Sequence, residues 1–165
     1  KQELFRTIGM AALKYFLLRV DPKKNMLFDP KESIDFNGNT GPSVQYTYVR
    51  TRAILRRYAE GNPGYDALKS NFEAHTLSEA ELDVVAKIYE WPTTLRVAAT
   101  TYNPADIAHY CYDLAKLYNT FYQDHQIVRE TNEAARNFRL ALTHKTGDVI
   151  REGMRLLGIG MPDRM

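Results

Sequence analysis

Every long segment of this chain carries apolar residues at the spacing of a helix face, and this feature constrains the fold more than any other. An amphipathic helix is predicted over residues 3–20 from apolar side chains on one face: Leu4, Ile8, Ala11 and Tyr15. No stretch alternates apolar and polar residues with the period of two that a half-buried strand requires. The chain is therefore predicted to be all-α, as a helix bundle.

Prolines and capping residues divide the rest of the chain into further helices. Asp21-Pro22 ends the first helix, because proline disfavours the helical conformation in the residue before it. Pro42 and Pro104 fit the first turn of two helices, and Ser78 begins a capping box. The further predicted helices cover residues 30–34, 42–60, 78–91, 92–102, 103–124 and 132–157.

Composition excludes several classes of protein. A length of 165 residues suits one domain, or one domain and a short piece of another, and the content of 44% hydrophobic residues is that of an ordinary globular chain. No run approaches the roughly 18 apolar residues of a membrane span. The single cysteine, Cys111, excludes an intrachain disulfide and favours a reducing compartment, which predicts a cytoplasmic location. Because the chain begins at Lys1 without a signal-peptide pattern, we expect a fragment of a longer protein.

Charge is unevenly distributed along the chain. Residues 1–60 carry 11 Lys and Arg against 6 Asp and Glu, whereas residues 61–124 carry 4 against 9. If the basic first third meets the weakly basic last third in space, the resulting face suits a polyanion. The 11 tyrosines offer flat faces for stacking on unpaired bases, although packing between helices is the other role for most of them.

No pattern of catalytic or metal-binding residues is present in the sequence. The four histidines lack HExxH spacing and Cys111 has no cysteine partner, so no zinc site is predicted. Phosphate-binding loops of the GxxxxGK[ST] or GxGxxG type and the GxSxG nucleophile elbow are also missing. Composition and spacing alone indicate a soluble helical module with no visible catalytic apparatus.

Three segments carry more specific combinations of residues. Residues 36–50 contain FNGNTGP followed by QY and a single Arg, and residues 109–122 contain HYCYDLA followed by NTFY. Residues 139–165 contain RLAL, then GMRLLGI, and end in PDRM. In this order and at these spacings the segments resemble the C-terminal part of the arginyl-tRNA synthetases, and the resemblance covers nearly the whole chain.

The resemblance implies a DALR-type anticodon-binding helical domain in residues 41–165, and assigns residues 1–40 to the tail of the catalytic core and its stem-contact region. Enzymes of this family join arginine to tRNA(Arg) using ATP and Mg²⁺. Their HIGH-like and KMSK-like catalytic signatures are absent here, so this chain alone is expected to be inactive and to hold no cofactor. The implied partner is the anticodon stem-loop of tRNA(Arg). Arginine and ATP would bind the missing catalytic domain of a monomeric parent enzyme.

The resemblance also implies an anticodon-binding site, and no catalytic or metal-ligating residues. Tyr46 and Arg50 match the family's QY…R helix, Tyr122 matches its FY pair, and Met165 matches its terminal residue. The loop after Tyr122 belongs to the same site in the family. Tyr46, Arg50 and Arg57 share a polar stripe of the 42–60 helix, off its apolar face, as a contact with a ligand requires. Arg57 is a candidate to contact a phosphate or the edge of a base. Alternatively, the tyrosines pack between helices, the arginines are exposed to solvent without a ligand, and Met165 belongs to a frayed chain end.

Two positions depart from the family pattern. Ser43 stands where many relatives have Tyr, and residues 126–128 replace a Trp that some relatives place in the loop. Base stacking at these points is expected to be weaker or to come from other residues. The alternative function for the whole chain is a helical protein–protein interaction or structural module with no RNA role.

Overall fold

The computed structural model describes residues 2–165, and it contains seven α-helices and no strand within them. The helices are α1 Gln2–Leu18, α2 Pro30–Ser33, α3 Gly41–Gly61, α4 Glu79–Tyr89, α5 Trp91–Thr101, α6 Pro104–Asp124 and α7 Glu133–Leu156. The all-α prediction is confirmed, and each predicted boundary lies within two residues of the observed one. None of the described helices is long and apolar enough to cross a membrane.

Side-chain caps fix where the helices begin. Thr40, Asn103 and Asn132 each accept a hydrogen bond from a backbone N–H in the first turn of α3, α6 and α7. The predicted capping box of α4 is complete, since Ser78 accepts from the Glu81 N–H at 3.3 Å and the Glu81 carboxylate accepts from the Ser78 N–H at 2.8 Å. Each cap satisfies an N–H group that has no partner inside its helix.

Helices α3, α6 and α7 pack against one another at the centre of the bundle, while α1 covers α3 and α6, and α4 and α5 cover α6. The space between them is filled by fully buried side chains, among them Val44, Leu114, Tyr118, Phe121, Leu140 and Ile150. Burial of this apolar surface is the main stabilising contribution to such a bundle. Because α3 and α6 lie side by side, their outward faces border a common groove.

Two glycines allow α3 to approach its neighbours closely. A Cβ atom at Gly41 would overlap the backbone carbonyl of Ala11 in α1. A Cβ atom at Gly147 in α7 would lie only 2.5 Å from the Oγ1 atom of Thr51 in α3. The absence of side chains at these two positions therefore sets the distances of α3 from α1 and α7.

Tyr15 joins α1 to the rest of the bundle. Its hydroxyl lies 2.8 Å from the Ala108 carbonyl oxygen in α6 and 2.6 Å from the Asn39 side-chain oxygen. Burial raises the pKa of this phenol above its usual value, so the hydroxyl stays protonated and donates. Ala11 and Tyr15 belong to the same buried cluster as residues of α3 and α6. Residues before position 41 thus share one core with those after it.

Candidate nucleic-acid interface

Arg50 of α3 lies between two exposed tyrosine rings. The guanidinium carbon is 5.0 Å from the centroid of the Tyr46 ring and 4.8 Å from that of Tyr122 in α6. Nη1 of Arg50 donates to the Asn119 side-chain oxygen at 2.5 Å, and the Asn119 amide nitrogen donates to Thr47 Oγ1 at 3.0 Å. A guanidinium is attracted to the face of an aromatic ring, so these contacts hold Arg50 at the boundary of α3 and α6.

A cleft of about 740 Å³ opens beside this stack, and we call it the main cleft. It lies between the second half of α3, the end of α6 and the loop that follows. Arg50, Arg57 and Arg129 bring three positive charges to its lining, against the one negative charge of Asp124. Uncharged side chains complete the lining, among them Ile54, Tyr122, Gln123, Gln126 and Ile127. Such a surface suits an anionic ligand that also presents flat apolar faces.

The loop of residues 125–130, which forms the outer wall of the main cleft, is held in place by Arg139 of α7. This side chain donates to the Gln126 carbonyl at 2.9 Å and to the Glu130 carboxylate at 2.6 Å. Ile127 is only 4% exposed, so the middle of the loop is also fixed by apolar packing. Two independent anchors therefore keep the wall of the main cleft in position.

Arg139 is itself paired with Glu81, which is fully buried. Its Nε donates to Glu81 Oε1 at 2.8 Å, and the His75 ring nitrogen lies 2.9 Å from Oε2. Burial acts to raise the pKa of Glu81, but the hydrogen bonds from Arg139, from the Ser78 N–H and from His75 outweigh it and lower the pKa to about 2. Glu81 is therefore ionised at neutral pH and balances the charge of Arg139.

The structure brings four of the five sequence-predicted site residues together. Tyr46, Arg50 and Tyr122 form the stack, and Arg57 lines the main cleft beside it. Met165 does not line the main cleft and is 39% exposed.

The tail that ends at Met165 runs along a different stripe of α3. Gln45 donates to the Gly160 carbonyl at 2.7 Å, and Arg56 donates to the Asp163 carbonyl at 3.1 Å. These two α3 side chains are occupied by the tail rather than directed into the main cleft. Of the arginines in α3, only Arg50 and Arg57 line that cleft.

Sequence reasoning missed three residues of this surface: Asn119, His125 and Arg129. Asn119 positions Arg50, while His125 and Arg129 line the main cleft, where the His125 ring stacks on Phe121 at 5.2 Å. Arg129 lies in an irregular loop, where no periodicity indicates which side chains share a face. For His125 and Arg129 the only signal was the resemblance, which assigned that loop to the anticodon site as a whole. Asn119 belongs to the NTFY segment that carries the resemblance.

Within residues 2–165, no three His, Cys, Asp or Glu side chains are grouped so that they could hold a metal ion. Cys111 is buried in the core, and burial raises the pKa of its thiol to about 12. The thiol is therefore protonated and shielded from solvent, as expected for a cysteine that contributes to packing.

Residues 44–165 match the family model of the DALR anticodon binding domain. The chain belongs to the DALR anticodon-binding domain family. It is 50% identical over 164 residues to the arginine–tRNA ligase of Bacteroides fragilis, and 47% identical over 165 residues to that of Parabacteroides distasonis. Each alignment covers 99% of this chain but 27% of the relative, so the chain spans about a quarter of the length of these ligases.

A solved structure has the same fold as this DALR chain. Thermus thermophilus arginyl-tRNA synthetase superposes with a TM-score of 0.83 at 26% sequence identity, over 97% of this chain and 27% of that one. The resemblance to the arginyl-tRNA synthetases that the sequence motifs indicated is thereby confirmed. Tyr46, Arg50, Arg57 and Tyr122 all lie within the matched DALR residues.

Proposed function

We propose that this chain is the anticodon-binding part of an arginine–tRNA ligase, and that its main cleft receives unpaired bases of the tRNA(Arg) anticodon loop. The observation that carries the proposal is the stack of Arg50 between Tyr46 and Tyr122 at the edge of a cationic cleft. Both the family and the names of the similar ligases support this assignment.

The chemistry of the main cleft fits an unpaired loop. Anticodon bases can splay out of the loop, so a protein reads them by stacking and by hydrogen bonds to their edges. Tyr46 and Tyr122 are 47% and 39% exposed, so both residues are accessible to a base. Arg57 and Arg129 are exposed at the cleft and can meet phosphates or base edges.

In the proposed parent enzyme, arginine and ATP bind the catalytic domain, which lies outside these residues. Mg²⁺ would act there with ATP. This chain alone would not aminoacylate, because it carries neither the HIGH-like nor the KMSK-like signature. The parent is proposed to work as a monomer in the cytoplasm.

A binding titration tests the proposal. The chain is titrated with an anticodon stem-loop of tRNA(Arg) and with a control loop carrying another anticodon in the same stem, at two salt concentrations. We expect preference for the arginine loop. Equal and salt-sensitive binding to both loops would mean that the chain contacts only the phosphate backbone of the RNA. Absence of binding to either loop would overturn the RNA role.

Variants locate the site within the same assay. Tyr46→Ala and Arg50→Ala are each expected to weaken binding about tenfold or more, since a base stacked on an aromatic ring contributes roughly 1–3 kcal/mol. Arg52→Ala is the matched control, because Arg52 lies on the same helix but does not line the main cleft. Circular dichroism and thermal unfolding show whether the variants remain folded. Wild-type affinity in both the Tyr46→Ala and the Arg50→Ala variant would show that these residues do not form the binding site.

A second candidate, a protein-docking module, is favoured by one observation on α1. Met10, Leu13 and Leu17 form a helical stripe and are 42%, 38% and 47% exposed. An exposed apolar stripe of this kind marks a surface that another protein element covers. The test is sedimentation velocity across a concentration series. Self-association that Leu17→Gln abolishes, together with no RNA binding, would favour this candidate.

A further inference from the structure

A second, smaller cleft of about 270 Å³ lies on the same α3–α6 surface, and we call it the side cleft. Gln123 lines both clefts, so the two are adjacent. Most of the side-cleft lining is polar, with Asn37, Ser43, Lys116 and Thr120 among its side chains. Phe36 supplies an aromatic wall.

Four side chains form a continuous row between the side cleft and the main cleft. The rings of Phe36 and Tyr46 are nearly perpendicular, with centroids 6.4 Å apart. The Arg50 guanidinium carbon lies 5.0 Å from the centroid of the Tyr46 ring and 4.8 Å from that of Tyr122. Phe36 is 48% exposed, much like the two tyrosines. A row of exposed aromatic rings beside cationic groups is the arrangement on which successive bases of a single strand stack.

Asn119 forms part of the partition between the clefts. Both ends of its amide are occupied, because its oxygen accepts from Arg50 and its nitrogen donates to Thr47. Asn119 lines the side cleft, whereas Arg50 lines the main cleft. The hydrogen bond between these two residues therefore lies at the boundary of the two clefts.

We propose that the side cleft holds a second unpaired nucleotide, adjacent along the RNA to the one in the main cleft. This inference rests on the proposed function. Phe36 stacks on the base, and the amide of Asn37 and the hydroxyls of Ser43 and Thr120 pair with base edges or with a ribose 2′-hydroxyl. Lys116, exposed at the rim, neutralises one phosphate.

The decisive experiment measures how each protein variant responds to the removal of single bases from the RNA loop. A series of tRNA(Arg) anticodon stem-loops, each with one abasic loop nucleotide, is titrated against wild type, Phe36→Ala and Tyr122→Ala. Each variant should weaken binding of the intact loop about tenfold. We expect the affinity of Phe36→Ala to be unaffected by removal of the base at one loop position. The affinity of Tyr122→Ala should be unaffected by removal of the base at a neighbouring position. If removal of the base at the same loop position ceases to affect the affinity of both variants, the proposal is overturned.

The charge of the side cleft gives a second, independent readout. Lys116→Ala should weaken binding several-fold and lower the slope of log affinity against log salt by roughly 0.7, the value for one contact to a single strand. Lys145→Ala is the matched control, because Lys145 is exposed on α7 and lines neither cleft. An unchanged slope in Lys116→Ala would count against the phosphate contact and the proposal.

Failure of this inference is distinguishable from failure of the proposed function. If the wild-type chain binds neither loop, both are overturned. If the wild-type chain prefers the arginine loop and Tyr122→Ala weakens binding, but Phe36→Ala and Thr120→Val bind as wild type, only the side cleft is refuted. Thermal unfolding of each variant accompanies the titrations, and the exposure of Phe36 makes a folding defect unexpected.

Discussion

Arg50 and Asn119 are joined by a hydrogen bond of 2.5 Å that links α3 to α6 and places the guanidinium between two tyrosine rings. The planar guanidinium can stack on both rings while one of its N–H groups points to Asn119. A lysine ammonium has the same charge but cannot stack on two faces and bond in a fixed direction at once.

Arg50→Lys is therefore expected to weaken binding of the tRNA(Arg) loop about tenfold while leaving the salt dependence of binding nearly unchanged. The measurement is a titration at several salt concentrations. Arg52→Lys serves as the control on the same helix and should bind as wild type. Full affinity in Arg50→Lys would mean that charge alone matters at this position.

Arg139→Ala is expected to destabilise the bundle by about 3–5 kcal/mol, because it leaves the buried carboxylate of Glu81 without its cation. The loop that it holds would also lose its contacts at Gln126 and Glu130. Urea unfolding measures the stability. Arg151→Ala, which removes an exposed arginine paired with Asp148 on the same helix, should change stability by less than about 1 kcal/mol.

The stability of the chain should fall as the pH drops from about 5 to 2. Glu81 has a folded-state pKa of about 2, below the ordinary value of 4.5 for a glutamate carboxyl group, so its ionised form stabilises the fold above pH 4.5. That contribution, about 3 kcal/mol, is lost as the pH falls through the folded-state pKa. The measurement is the free energy of unfolding at a series of pH values.

Glu81→Gln isolates this contribution from that of the other carboxylates. The variant should be less stable at pH 7, because Arg139 then lacks a charged partner, but its stability should depend less on pH between 5 and 2. Parallel pH profiles for wild type and variant would show that Glu81 is not the group responsible.

Gly41→Ala is expected to destabilise the fold by about 1–3 kcal/mol, because the new methyl group meets the Ala11 backbone and forces α1 away from α3. Gly9→Ala is the matched control in α1. A Cβ atom at Gly9 has no heavy atom within 4 Å, so this variant should gain about 0.5–1 kcal/mol from better helix propensity. Thermal unfolding of the two variants should show melting temperatures that move in opposite directions.

Much of the helical architecture could be predicted from the sequence because its signals are local. A proline or a capping side chain acts on the backbone within a few residues, and Ser78, Asn103 and Asn132 do so at the expected helix starts. The polar stripe of α3 was visible for the same reason, since helical periodicity places Tyr46, Arg50 and Arg57 on one face.

The remaining features depend on contacts between residues distant in sequence. The pairing of Arg139 with Glu81 joins residues 58 positions apart, and no periodicity reveals it. Similarly, the resemblance indicated that the 125–130 loop belongs to the site, but the position of Arg129 depends on how that loop is anchored. The roles of Met165 and of the division at residue 40 stay predictions.

The contact of Tyr15 with α6 determines how much of the chain has to be produced for the bundle to pack correctly. The family match starts at residue 44, yet the hydroxyl bound to the Ala108 carbonyl comes from residue 15. A polypeptide trimmed to the matched residues would leave that carbonyl without its donor and the α1-facing side of α3 bare. The residues that the family model matches are thus fewer than the residues that share the core, and a polypeptide trimmed to the matched residues would expose apolar surface and pack loosely.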